Sequence, residues 1–91
     1  MNGNLTGEIT DTYGETLPGV TVTISQTNTP PHTVVSDARG QYRFIAVLPG
    51  SYDLRATMPG FKTTDIPGVI IQANKTTVKN ITMQVANVVE K

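Results

Sequence analysis

Cysteine is absent from the 91 residues, which excludes disulfides, thiol nucleophiles and cysteine-ligated zinc. Histidine occurs once, at His32, so no site can be built on two imidazoles. Charge of one sign is missing too, because Lys+Arg 7 balances Asp+Glu 7. With no basic run or stripe to neutralise a line of phosphates, nucleic acid is not expected as a partner. The longest apolar stretches, Phe44–Leu48 and Val69–Ile71, fall far short of the roughly 20 residues that cross a bilayer as a helix. The opening Met1-Asn2-Gly3-Asn4 lacks a charged region followed by an apolar core, so no signal peptide is read there. The expectation is a mature domain belonging to a longer precursor.

What the chain does have is alternation. Leu5, Gly7 and Ile9 alternate with Thr6, Glu8 and Thr10, and Val20, Val22 and Ile24 with Thr21, Thr23 and Ser25. The same period of two runs through Tyr42 and Phe44, through Tyr52, Leu54, Ala56 and Met58, and through Ile81, Met83 and Val85. Each run offers one apolar and one polar face, as half-buried strands do, and the Thr and Val content suits a pleated surface. Strands are expected over 4–10, 19–26, 32–36, 41–47, 51–58, 69–73 and 76–86, with 61–66 as an additional edge piece. Turn chemistry separates them at Asp11–Gly14, Leu17-Pro18-Gly19, Asn28–Pro31, Ser36–Gly40, Pro49-Gly50, Pro59-Gly60, Pro67-Gly68 and Asn74-Lys75. Val78 falls out of phase with Ile81 and Met83, which suggests a bulge near Lys79. The fold class is therefore all-β, a seven-stranded antiparallel Greek-key sandwich. One domain spans 1–91, with a core over 4–86 and 87–91 as tail or linker. Val22, Ile24, Tyr42, Phe44, Tyr52, Leu54, Ile81 and Met83 should face inward.

Chemistry finds little to stand on. His32 sits beside Pro30-Pro31, and Ser25, Ser36 and Ser51 lie on strand edges or turns without a strained nucleophile elbow. Glu8, Asp11, Glu15, Asp37, Asp53, Asp65 and Glu90 fall at turns or on solvent-facing strand positions, with little room for a substrate cleft. Calcium takes oxygen ligands from flexible loops, so loop carboxylates such as Asp11 and Asp37 are the candidates for it, but the chain has no Asp-x-Asp-x-Asp-Gly run to support such a site. No catalytic, cofactor-binding or metal residue is assigned, and folding without metal is expected. A Thr-rich face interleaved with Gln41, Arg43, Asp53 and Arg55 suits carbohydrate, although the aromatics share phase with the core. Tyr13 is expected as a lid over an open end of the core. Asn4, Asn74 and Asn80 open Asn-x-Thr triplets, read as a by-product of threonine content.

Five short segments in order carry a resemblance. They are Gly7-Glu8-Ile9-Thr10-Asp11, Leu17-Pro18-Gly19-Val20-Thr21-Val22, Ser36 to Phe44, Leu48 to Leu54, and Pro59-Gly60-Phe61. Together they resemble the carboxypeptidase regulatory-like domain, a transthyretin-like (prealbumin-like) sandwich, over residues 7–85. The resemblance implies a non-catalytic accessory role in a larger envelope or secreted protein: a receptor extension such as those of TonB-dependent receptors, an adhesin stalk, or a folding module of a metallocarboxypeptidase. It implies neighbouring domains or an envelope protein as partners, with carbohydrate as the alternative. Sandwiches of the collagen-adhesin B type are similar but anchor an isopeptide bond on a first-strand lysine, and here the first lysine is Lys62. The strand edges at 4–10 and 61–66 are the expected places for a partner to add a strand.

Overall fold

Period-two runs of β-branched and aromatic residues form eight strands: β1 (Gly3–Asp11), β2 (Thr21–Ser25), β3 (His32–Val35), β4 (Gln41–Val47), β5 (Gly50–Thr57), β6 (Thr64–Ile71), β7 (Thr76–Val78) and β8 (Ile81–Met83). The computed structural model describes residues 1–86, and no helix occurs among them. One sheet has the order β4-β1-β7, with β8 also on β1; the other has the order β3-β2-β5-β6. The all-β sandwich expected from alternation is present, with eight strands in place of seven. β1 pairs antiparallel with β4 but in parallel with β7 and β8, so the first sheet is mixed.

The inner faces carry the apolar phase of each strand. All eight residues expected to face inward are buried, joined by Leu5, Ile9, Val20, Val47, Ala56, Val69 and Ile71. Each large side chain of this set contributes about 1.5–3 kcal/mol by leaving water. Tyr42 meets Phe44 edge to face, with ring centroids 6.0 Å apart. Both buried tyrosines find acceptors: Tyr42 Oη donates to the Lys79 carbonyl at 2.5 Å, and Tyr52 Oη to that of Leu48 at 2.6 Å. Burial pushes the Tyr42 phenol well above its ordinary pKa, so it remains a donor throughout the working pH range.

Four expectations need correction. Pro67-Gly68 is no turn: it lies inside β6, joining the two segments read as separate pieces. Tyr52 faces Val69 and Leu54 faces Ile66, so Pro67 and Gly68 together oppose Asp53 as a bulge, with Gly68 at φ 71°. Edge strands and bulges are the places where a sheet tolerates proline, because no ladder bond is required of it there. Second, no residue is inserted near Lys79. Thr6 faces Val78 and Ile9 faces Ile81, so the register is the same on both sides of the break. Val78 looked out of phase because it occupies the outer face, 64 % exposed. Third, β1 is not an edge, since β4 lies on one side of it and β7 and β8 on the other. Fourth, Tyr13 covers nothing and is 86 % exposed, held outward at a loop tip.

Gly7 lies where β1 passes beneath Lys79. A Cβ there would run into the Lys79 carbonyl oxygen and approach Tyr42 Cε2 to 2.7 Å. Glycine thus lets the Lys79 carbonyl reach the Tyr42 hydroxyl across β1. At its other end the chain closes with an isolated bridge between Phe61 and Val85, where Lys62 N donates to Gln84 O and Ala86 N to Gly60 O. The expected tail at 87–91 lies outside the described residues.

Candidate functional site

Parallel pairing of the first and last strands fixes the polarity of the domain. β1 begins beside Val47 and Thr76 and ends beside Met83, so residue 3 and residue 83 lie at opposite poles. From residue 3 at one end, the entry pole, the described backbone thus runs to residue 83 at the other, the exit pole.

The exit pole is finished by loops that close on themselves. In Asp11-Thr12-Tyr13-Gly14-Glu15, Asp11 Oδ1 accepts from Tyr13 N at 2.8 Å and Glu15 N at 3.0 Å. In Asp37-Ala38-Arg39-Gly40-Gln41, Asp37 Oδ1 accepts from Arg39 N and Gln41 N, both at 2.9 Å. The backbone bonds repeat as well: the glycine N–H donates to the aspartate carbonyl, and the aspartate N–H to the carbonyl of the fifth residue. Gly14 and Gly40 supply the left-handed conformation at φ 86° and 76°. This shared Asp-x-x-Gly-(Glu/Gln) design was legible as two turns, but its recurrence emerges only from the bonding. Asp11 and Asp37, the loop carboxylates weighed against calcium, both serve as backbone acceptors, and among the described residues no three of His, Cys, Asp and Glu gather as a metal site.

Ser36 joins the loops. Its Oγ donates to Leu17 O at 2.7 Å and accepts from Val20 N at 2.8 Å, while its own N–H reaches Val20 O and its carbonyl accepts from Gly19 N. Among the described residues it is the one buried polar side chain, 5 % exposed, and its hydroxyl is spent on structure. Ser25 and Ser51 lie on β2 and β5, and His32 begins β3 exposed, opposite Ile24.

The Gln41 N–H, followed by the Arg39 N–H, holds the Asp37 carboxyl below its ordinary pKa. Its stabilising contribution is therefore complete above about pH 4 and fades as pH falls through the depressed folded-state value. Asp37→Asn keeps an acceptor oxygen without the charge. Melting temperatures recorded from about pH 2 to pH 7 should show a shallower acid limb for the variant. Parallel acid limbs in the two proteins would refute the assignment.

The outer face of β2, β5 and β6 carries a shallow groove of about 590 Å³, lined by Thr23, Ser25, Asp53, Arg55 and Asp65 with Pro31 and Pro67 at its borders. Arg55 Nε donates to Asp65 Oδ1 at 2.7 Å, and Asp65 raises the guanidinium pKa. Both side chains are mostly exposed, so the pair orders the face more than it stabilises the fold. None of the lining residues is aromatic, so the groove has no stacking platform for a sugar. Of the face read from sequence, Asp53 and Arg55 meet here, while Gln41 and Arg43 belong to the opposite sheet. Two of the three Asn-x-Thr asparagines have structural duties: Asn4 Oδ1 accepts from Ala46 N and Asn80 Oδ1 from Glu8 N.

Residues 4–84 match the family model of the carboxypeptidase regulatory-like domain. No curated protein matches the chain in sequence. Among solved structures, the minor pilin GBS52 of Streptococcus agalactiae is similar over 99 % of this chain and 47 % of its own, at 19 % identity and TM-score 0.73. The major pilin subunit BcpA of Bacillus cereus is similar over 94 % and 31 %, at 14 % identity and TM-score 0.73. A chain of the type II cohesin–X–dockerin complex from Acetivibrio cellulolyticus is similar over 91 % and 58 %, at 23 % identity and TM-score 0.72. The chain thus spans from under a third to just over half of these structures, and at such identities the likeness is one of fold.

Proposed function

The chain belongs to the carboxypeptidase regulatory-like domain family, and from that premise we propose that it is a non-catalytic, in-line spacer within a longer envelope or secreted protein. The observation that carries this reading is the parallel run of β1 with β7 and β8, which sends the two ends of the domain to opposite poles. A module entered and left at the same end hangs off its parent as a side branch. One traversed from pole to pole extends it. The loops at the exit pole suit the same role, because the Asp11 and Asp37 loops and the Ser36 bonds give a neighbour a stiff surface. The fold-level likeness to pilin subunits supports placing the parent protein at the cell surface, as a stalk or a receptor extension.

Small-angle scattering on one, two and three copies joined in series tests this. The maximum dimension is expected to grow by one equal increment per copy. Growth no faster than that of a compact cluster of the same mass would overturn it. Protein docking is the second reading, favoured by Ile45 on the edge strand β4 and Leu48 just beyond it, 66 % and 63 % exposed.

A further inference from the structure

A module joined in series carries whatever tension passes along its parent chain. We infer that this domain is built to bear that tension, with the seam between β1 and β7/β8 as its force-resisting element. The inference rests on the in-line reading for its biological setting, whereas the mechanics belong to the domain itself.

When the ends are drawn apart, β1 is pulled toward the entry pole and β8 toward the exit pole, both along the strand axis. Because the strands run in parallel, their hydrogen bonds lie across the pull and share it, so sliding requires many to break together. An antiparallel pair pulled from neighbouring ends would open one bond at a time. The seam pairs Asn4–Thr6 with Thr76–Val78 and Ile9–Asp11 with Ile81–Met83. Its interruption is stitched: Lys79 N donates to Thr6 O at 2.8 Å, and Glu8 N to Asn80 Oδ1 at 2.9 Å. From the far side of β1, Tyr42 Oη on β4 reaches across Gly7 to the Lys79 carbonyl, linking β4 over β1 to the connection between β7 and β8. At the entry pole, Asn4 N donates to Lys75 O and Asn74 N to Asn2 O. Beyond β8, Lys62 N donates to Gln84 O and Ala86 N to Gly60 O, further bonds between β8 and the end of the described chain. β4 holds the other side of β1, so the strand cannot swing out to be peeled.

Single-molecule pulling on the full chain tests this in two directions. The first attaches handles at the two termini. The second uses the N-terminus and Leu48→Cys, which introduces a unique thiol at an exposed position. Because Gly3 faces Val47, the second direction opens the β1–β4 pair from its end. Forced unfolding reads the barrier along the chosen direction, and the terminal pull is expected to need a several-fold higher force. Asn80→Ala should lower the terminal force by a larger fraction than the other force. Equal or lower force through the termini would overturn the inference, as would an equal fractional loss in both directions for Asn80→Ala. High terminal force in a chain whose joined copies scatter as a compact cluster would leave the clamp standing and remove the spacer. Extended copies with weak terminal resistance would do the reverse.

Discussion

Replacing Phe44 by alanine should cost about 3–5 kcal/mol of folding stability, the usual penalty for emptying a large aromatic site in a packed core. Phe44 is 3 % exposed, sits opposite Leu5 in the β1–β4 pair, and meets Tyr42 in a T-shaped pair of rings. Both sheets contribute to that core, so neither can close the vacated space without moving strands. A domain of this size has a total stability on the order of 5–10 kcal/mol, so the variant should retain only about 0–7 kcal/mol and unfold at a much lower urea concentration than the parent protein. Urea titration followed by circular dichroism measures the loss. A change below about 1 kcal/mol would mean that the cavity collapses freely, contrary to a close-packed interior.

Gly7→Ala should be the next most damaging substitution, at about 2–3 kcal/mol, toward the upper end of the range for overpacking. The added methyl would meet a backbone carbonyl, that of Lys79, as well as the Tyr42 ring, and neither can step aside as a flexible side-chain tip would. Relief requires β7 and β8 to draw back from β1, at the expense of the Tyr42–Lys79 bond as well. Gly7 does not adopt a positive φ, so the penalty is one of space alone. Gly14→Ala is the instructive contrast: nothing lies within 4 Å of the added carbon, yet φ is 86°, so the cost there is conformational. Thermal melts of the two variants separate crowding from strain. If Gly7→Ala melts like the parent protein, the close approach of Lys79 to β1 is not real.

The faces of the strands were legible in the sequence, but their neighbours were not. Alternation reports which side chains leave water, so Val22, Ile24, Tyr42, Phe44, Tyr52, Leu54, Ile81 and Met83 were placed inward from residues alone, and all eight are buried. The same alternation is identical for parallel and antiparallel pairing and for edge and centre. It therefore had no means of placing β1 in mid-sheet or of orienting it with β7 and β8. Pro67-Gly68 misled for a related reason. Its dihedral preferences suit a turn and a bulge equally, and only the β5 ladder decides between them. Ser36 gave no signal because a lone serine before an aspartate is common, and its four bonds reach residues 16 to 19 positions away. Alternation likewise could not say that Gln41 and Arg43 lie on one sheet and Asp53 and Arg55 on the other, because it does not report which strands are neighbours.

The bulge in β6 has a consequence for any arrangement that holds two such domains side by side, including the joined copies of the scattering test. Domains tied by short linkers meet at effective concentrations on the order of millimolar, where one could borrow a strand from the next or stick to it edge to edge. β6 is an outer strand of its sheet and, with eight residues, would be long enough to invite this. Pro67 offers no N–H midway along it, Gly68 turns the backbone into the left-handed region, and the charged Arg55–Asp65 pair stands beside them. A foreign strand could begin to pair at either end but not run through the middle. The kink that made this segment look like a turn thus guards the free edge of the sheet against pairing with a neighbouring chain.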